Sequence, residues 1–352
     1  MKPECYTVII AGGKGTRFWP LSRSQRPKQL LKILSPKSLI RETAERILPL
    51  SGRARTIVVT VADQLSALRK ELPGLPRRNF LAEPRGNNTA PCIGLATLEV
   101  VARDPAAMMV VLPADHWVRD VKGFRRIVKS AVEIAARRDS LVTIGIRPNY
   151  PETGYGYIIK NNKLLGGKAA YQVKRFTEKP TLSKAQQLIR QGALWNSGIF
   201  VWKASTLLEL MRRYQPAIFK GLEQIKKAVG KKSLAVPTPK IAGIVEREYK
   251  RMPNISIDYA VLEKAGSEGK VVVLEADFGW SDVGSWAAVH RMLPHDENGN
   301  AGNGKWFTLG AKDSLIHARD RLVVLLGVRD VVVVDTPDAL LVGDIKRSQE
   351  VR

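Results

Sequence analysis

Residues 11–29 read AGGKGTRFWPLSRSQRPKQ and follow directly on the apolar run YTVII. The stretch combines three glycines, three arginines and two lysines. Glycine lets a backbone turn tightly and approach a ligand closely, and clustered Arg and Lys suit an anion with several charges. Two common phosphate motifs fail here. A P-loop needs Gly-Lys followed at once by Ser or Thr, but Gly15 follows Lys14. A dinucleotide fingerprint needs a third glycine where Phe18 stands. What remains is a glycine turn whose successive N–H groups can form an anion-binding nest. Arg17 is beside it, and Arg23, Arg26 and Lys28 follow a proline-containing loop. On these residues alone, a strand-to-helix turn with a solvated basic loop is the alternative.

The elements that must position this stretch alternate simply in the first half. Apolar, β-rich runs occur at 7–11, 56–60, 79–83, 108–112 and 141–146, with helical patterns at 38–49, 62–72, 89–103 and 122–138. Continuous apolar strands separated by helices predict a parallel sheet covered on both faces. Such a sheet binds ligands beyond the carboxyl ends of its strands. The glycine-rich stretch and LPADH (112–116) both fall at such ends, so they are expected to meet in one cleft. Further on, strands are expected at 154–160, 171–176 and 198–203, and helices near 183–191, 204–229 and 255–265. VVVLEADFGW (271–280) then precedes a helix opened by Ser281 or Ser285. In the tail, VVLL, VVVV and ALLV begin eight residues apart, which suggests a small β-coil or meander. A Gly/Asn-rich stretch, ENGNAGNG, marks a boundary near residue 298. The expected domains are 1–298 and 299–352.

The 352 residues carry 57 Lys+Arg against 33 Asp+Glu, a net charge of +24. A basic surface raises nucleic-acid binding, but the basic residues are scattered along the chain. The densest run, KKAVGKK (226–232), has no aromatic residue for base stacking. The charge is better read as solubility or steering, and no specific nucleic-acid partner is expected. Cys5 and Cys92 are too few for a disulfide framework. No run approaches the roughly 18 apolar residues of a membrane span, and no signal-peptide pattern opens the chain. A cytoplasmic protein with no membrane partner is expected.

The glycine-rich stretch resembles the signature of the nucleotidyltransferases that make nucleotide sugars. Its WPLSR and PKQ segments are similar to those of the mannose-1-phosphate guanylyltransferases. EPRGNNTAP (83–91), LPADH, ETGYGYI (152–158), FTEKP (176–180), NSGIF (196–200), SIDYAVLEKA (256–265), GWSDVGSW (279–286) and the tail 331–342 extend the resemblance over nearly the whole chain. One departure is Asn87, where many relatives have Arg or Lys before Asn-Thr-Ala-Pro.

The resemblance implies a Rossmann-like, mostly parallel mixed sheet flanked by helices, the nucleotidyltransferase α/β fold, with a small C-terminal β domain. It implies transfer of GMP from GTP to mannose 1-phosphate, giving GDP-mannose and pyrophosphate. A related transferase using another sugar or base, or a non-catalytic nucleotide-sugar-binding homologue, is the alternative. A phosphate is already a competent nucleophile, so catalysis rests on positioning and charge stabilisation, with no Ser–His or Cys–His pair required. By resemblance Arg17, Lys28 and Lys179 are catalytic. Ala11, Gly12, Gly13, Gly15, Thr16, Glu83, Asn88, Thr89, Pro113 and Ala114 hold the nucleotide. Gly156, Glu178, Lys179 and Asn196 hold the sugar phosphate. Asp115 and Asp282 ligate Mg²⁺, which favours carboxylate oxygen. Read without the family, Asp282 is a helix N-cap, and Asn88 and Thr89 can act as caps. His116 reads as structural, because hard Mg²⁺ disfavours imidazole. Glu178 and Lys179 are neighbours on an extended segment and point to opposite faces, unless a turn at Pro180 reorients one. A cupin-type isomerase activity is not expected. Oligomeric state is not fixed by the sequence, and a homodimer is compatible with it.

Overall fold

β-Branched and aliphatic runs too apolar to face water become the central strands of a sheet. In the computed structural model they are β1 (Cys5–Ala11), β2 (Thr56–Val61), β3 (Phe80–Glu83) and β4 (Met108–Pro113). The structure describes residues 4–13, 15–164, 169–230 and 233–351, leaving aside the side chains of 162–164. Lys14 and the last two lysines of KKAVGKK, Lys231 and Lys232, lie outside the described residues. Two short strands are β5 (Trp117–Val118) and β11 (Trp280–Ser281). Between them in sequence come β6 (Leu141–Ile146), β7 (Gly156–Leu164), β8 (Ala170–Glu178), β9 (Leu194–Lys203) and β10 (Val271–Ala276).

The chain divides into two compact units. The first takes the chain up to Gly12, Ala44–Ala114 and Val118–Trp280. Its nine-stranded sheet has the order β3-β2-β1-β4-β9-β6-β10-β8-β7. β3, β2, β1 and β4 run parallel, β9 is antiparallel to both β4 and β6, and β10 returns parallel to β6. β8 and β7 complete the sheet as antiparallel strands. The mixed, mostly α/β architecture is the expected one.

Helices α1 (Leu39–Ser51), α2 (Leu65–Glu71), α3 (Thr89–Arg103) and α4 (Val121–Arg138) follow the predicted periodicity. α3 is buried from Ala90 to Val100, as a helix apolar on all sides must be. It packs on β1 and against α6 (Ala204–Tyr214) and α7 (Pro216–Val229), while α5 (Leu182–Arg190) packs on β7. The predicted single helix at 204–229 is thus two helices. Pro216 lacks an N–H and disfavours helical backbone at Gln215, so it starts a new helix at its first position. α8 (Pro239–Arg251) was not predicted, although Thr238 caps it and Pro239 opens it. The helix expected at 255–265 begins as a π-helical turn, Asp258–Leu262, and continues as α9 (Glu263–Ser267). No described helix is long and apolar enough to cross a membrane.

The second unit takes Gly13–Thr43, Asp115–Trp117 and the chain from Ser281 onward. Of the two candidate caps it is Ser285 that opens α10 (Trp286–Met292), accepting from the Ala288 N–H. The tail forms a four-stranded sheet of β12 (Ala301–Leu309), β13 (Leu315–Leu326), β14 (Val331–Thr336) and β15 (Ala339–Asp344). β12 was hidden by its glycines: a Cβ on Gly304 would lie 1.8 Å from the Ala318 carbonyl oxygen. Val332–Asp335 pairs in parallel with Leu315–Ala318 rather than with VVLL, which instead pairs with Trp306–Leu309.

The unit's core joins Phe18, Leu31 and Ile33 to Val283, Trp286, Leu315, Val332 and Val334. Phe18 meets Trp286 edge to face with centroids 5.1 Å apart, and the indole N–H donates to the Trp19 carbonyl at 3.3 Å. The residue after Arg17 is therefore anchored by a fully buried tryptophan. Trp286→Ala should cost about 3–5 kcal/mol, the range for deleting a buried aromatic. Chemical denaturation followed by circular dichroism measures this, and a loss below about 1 kcal/mol would show that the tryptophan does not hold the loop.

Candidate active site

The glycine-rich turn is shaped by close backbone approach. Gly15 has φ +61°, and a Cβ there would lie 2.1 Å from Lys28 Cβ and 3.0 Å from its backbone nitrogen. Only glycine permits both the left-handed conformation and that contact. Thr16–Phe18 then form a single 3-10 turn, with Phe18 buried and Arg17 exposed. The Arg17 guanidinium donates to the Gly284 carbonyl at 3.3 Å.

Lys28 begins a second 3-10 turn and is itself buried. Its ammonium meets Asp115 Oδ2 at 2.7 Å and donates to the Asp282 carbonyl at 2.5 Å. The signature loop, LPADH and GWSDVG thus converge on one lysine. Burial alone would raise the Asp115 carboxyl, but the charge and hydrogen bond of Lys28, with the charge of His116, hold it below the usual range. Asp282 is no helix cap, since Ser285 fills that role. Its carboxylate lies over Gly284, where a Cβ would be 2.9 Å from Oδ2. Arg23 and Arg26 do not join this group: the Arg23 guanidinium pairs with Asp338 at 2.9 Å, and the two arginines' backbones close a tight turn.

The remaining candidates belong to the sheet unit. Ala11 and Pro113 end adjacent strands, and Gly12 and Ala114 follow them; the Ala114 N–H donates to Ile10 at 2.9 Å. Glu83 ends β3, buried, with one carboxylate oxygen 3.6 Å from where a Gly12 Cβ would be. Its other oxygen accepts a short hydrogen bond from the Tyr249 hydroxyl. Burial pushes Glu83 up to about 7, against the lowering effect of hydrogen bonds from Tyr249 and Cys92. Asn88 caps α3 with φ 64°, accepting from the Thr89 N–H at 2.9 Å, while the Thr89 hydroxyl accepts from the Ile257 N–H at 2.8 Å. Asn87, the departure from the basic pattern, is buried and donates to the carbonyls of Tyr249 and Met252.

At the other end of the sheet Gly156 and Glu178 are register partners. A Cβ on Gly156 would lie 2.5 Å from Glu178 Oε2 and 3.5 Å from Asn196 Cβ, so the missing side chain brings all three together. Lys179 has φ 44° and turns its ammonium back onto Glu178 Oε1 at 2.7 Å. The left-handed residue before Pro180 supplies the reorientation that an extended dipeptide lacks. Asn196 accepts from Thr143 at 3.2 Å and donates to Asp258 Oδ1 at 2.7 Å. Burial raises Asp258 to about 6; the Asn196 hydrogen bond opposes this and the nearby Glu178 charge adds to it. Asp258, Tyr249 and Cys92 are absent from the sequence-derived candidates. Asp258 stands in the motif SIDYAVLEKA and opens the π-helical turn, a distortion frequent at functional sites.

Comparison with known proteins decides the family. The model described as nucleotidyl transferase matches residues 6–299, and the MannoseP isomerase/GMP-like beta-helix domain matches residues 304–352. The chain belongs to the nucleotidyl transferase family. The xanthan biosynthesis protein XanB of Xanthomonas campestris pv. campestris (strain B100) is 39% identical, with 98% of this chain and 71% of that protein covered. The mannose-1-phosphate guanylyltransferase of Escherichia coli (strain K12) is 36% identical over 99% of this chain and 72% of its own. A crystal structure described as mannose-1-phosphate geranyltransferase from Thermus thermophilus superposes with a TM-score of 0.87 at 34% identity, covering 99% of this chain and 97% of that one. The resemblance read from the motifs and the expected fold class both hold, and the nucleotidyl transferase is an enzyme of that kind.

Within this nucleotidyl transferase, Glu83 makes folding depend on pH. Its folded value near 7 exceeds that of an unfolded glutamate. The native protein therefore holds a proton that the unfolded chain has released, and stability falls as pH rises from about 4.5 to about 7. Glu83→Gln should remove about 3 kcal/mol of that fall. Denaturant titrations at both ends of the window, taken as wild type minus variant, separate Glu83 from Asp258. Parallel pH dependences would show that Glu83 titrates in the folded protein as it does in the unfolded chain.

Proposed function

We propose that this nucleotidyl transferase moves GMP from GTP to mannose 1-phosphate, forming GDP-mannose and pyrophosphate. The observation that carries the reading is the convergence of the signature loop, Asp115 and the GWSDVG segment on the Lys28 ammonium. The names of the relatives supply the substrate pair. A phosphate oxygen of the sugar phosphate attacks the α-phosphorus; that P–O bond forms as the bond to the β-phosphate oxygen breaks, and pyrophosphate leaves with the electron pair.

In this reading the backbone N–H groups of Gly13, Gly15 and Thr16 cradle the phosphates, with Arg17 and Lys28 neutralising charge on the departing pyrophosphate. Ala11, Gly12, Pro113 and Ala114 line the nucleotide with backbone, and Asn88 and Thr89 combine capping with nucleotide contact. Glu83 offers acceptor oxygens that suit the N–H donors on the guanine edge. Glu178 and Asn196 bond the sugar hydroxyls over the bare backbone of Gly156, and Lys179 meets the sugar's phosphate. Residues 1–298 then form the catalytic region and 299–352 a small C-terminal β domain, whose sheet shares its core with Phe18, Val283 and Trp286.

Mg²⁺ is the proposed cofactor, held by Asp115 and Asp282. The donor set fits a hard cation: both are carboxylates, and Asp115 already keeps its charge against a cation, the Lys28 ammonium. When bound, the metal would neutralise phosphate charge.

Pyrophosphate release over a panel of nucleoside triphosphates and sugar 1-phosphates tests the substrate assignment. GTP with mannose 1-phosphate should be preferred, and another pair turned over a hundredfold more efficiently would overturn it. Lys28→Ala and Arg17→Ala should each lower kcat/KM by roughly 10²–10³, the scale of losing one preorganised charge donor. Asp282→Asn should raise the Mg²⁺ concentration for half-maximal rate and depress kcat with little change in Tm. An unchanged magnesium titration would leave Asp115 as the sole protein ligand.

A further inference from the structure

One groove of the sheet unit is lined by no residue of the signature motifs. It lies between α7 and α8, has a volume of about 590 Å³, and is lined by Lys220, Gln224, Arg247, Glu248 and Arg251 over a floor at Gly221. A Cβ on Gly221 would lie 2.6 Å from the Met252 methyl, so this glycine lets the two helices close together beneath the groove. The volume falls in the range of small-molecule sites.

Its charge is organised by one buried acid. The Glu248 side chain is only 7% exposed, and its Oε1 pairs with Arg247 at 3.0 Å and Arg251 at 3.5 Å. Arg247 and Arg251 are four residues apart and so share a helix face. The carboxylate fixes both guanidiniums while using only part of their five-donor forks. Lys220, exposed on the facing helix, has no side-chain partner among the described residues, and neither has Gln224. Three cations against one carboxylate leave the groove positive. Forked guanidiniums beside a point ammonium are the complement of phosphoryl oxygens.

We infer that the α7–α8 groove is a second anion site, which binds a small molecule bearing a phosphate or diphosphate. The opposite side of α8 explains what its occupancy would brace. Tyr249, next to Glu248, donates to Glu83, and the carbonyls of Tyr249 and Met252 hold Asn87. A ligand bound to Arg247 and Arg251 stabilises the same helical turn that supports Glu83.

The test is calorimetric titration of inorganic pyrophosphate into the full chain carrying Arg17→Ala and Lys28→Ala, which disables the proposed phosphate clamp. Binding should persist in this background. Adding Lys220→Ala and Arg251→Ala should weaken it at least about tenfold, as loss of charge-assisted contacts implies. Hydrogen exchange of the Val245–Arg251 amides should slow with pyrophosphate in the background protein and not in the groove variant. ADP binding as tightly as pyrophosphate identifies a nucleoside diphosphate as the natural source, and ADP binding much more weakly identifies a free oligophosphate. Absence of binding in the background, or affinity unchanged by the groove substitutions, overturns the inference. If the double change disturbs α8, Lys220→Glu alone takes its place, and pyrophosphate affinity should fall in that variant too.

Discussion

The Lys28 ammonium is the interaction on which the signature region depends. Withdrawing an ammonium from water is costly unless its charge and its donors are matched. Here they are matched by a carboxylate at 2.7 Å and a carbonyl at 2.5 Å, from segments 87 and 254 residues away in sequence. Removing one partner of such a pair strands a charge and typically costs 3–5 kcal/mol, about the scale of a buried aromatic deletion. That cost ties the glycine turn, Asp115 and the GWSDVG segment into one arrangement. The contact exists only because Gly15 has no Cβ: any side chain there would displace Lys28 itself. A glycine that the sequence assigns to phosphate approach therefore has a second, structural task.

Three carboxylates of the candidate site show how environment, rather than residue type, sets chemistry. Asp115 is held low because a lysine faces it. Glu83 and Asp258 are raised because burial outweighs neutral hydrogen-bond donors. Near neutral pH Asp115 is fully anionic and suited to a cation, whereas Glu83 is divided between its two forms. Asp258 stays mostly ionised and keeps the Asn196 amide oriented, its N–H₂ toward the carboxylate and its oxygen toward Thr143. Protonation below about 6 would weaken the bond that fixes that amide.

Much of this was legible in the sequence. The strands and helices of the first half could be read because each has one unambiguous period and a clean turn at its end. The motifs marked the loops, since glycine, proline and clustered charge are local signals. What escaped was set by contacts between distant segments. α8 had a Thr-Pro start, but its apolar positions are spread among charges. β12 carries glycines that a strand ordinarily avoids, required by the approach of the Ala318 carbonyl. Pro216 was visible, yet the periodicity on either side ran through it. Glu83 opens a recognisable motif, but its partner Tyr249 lies 166 residues away. Asp258 stands inside a motif, but nothing local reveals that Asn196 is its partner.

Backbone strain points to the same places as the chemistry. Outside glycine, positive φ is found at Asn88, Asp139, Lys179, Val283, Asp313 and Asp330 among the described residues. Asn88, Lys179 and Val283 each belong to a motif of the candidate site. Asn tolerates this region and Lys less so, while β-branched Val is a true outlier. Each such residue costs on the order of 1–3 kcal/mol and persists only where the surroundings over-determine it. For Val283 they do: its side chain is fully buried in the Phe18–Trp286 core, and its N–H donates to the Ser281 hydroxyl at 3.0 Å. The strained residue sits between Asp282, whose carbonyl holds Lys28, and Gly284, whose carbonyl holds Arg17. A relaxed backbone at residue 283 would redirect both carbonyls at once. Burying a hydrophobic valine in an unfavourable conformation thus couples the core packing of the β domain to the placement of the two cations that a phosphate-handling enzyme needs most.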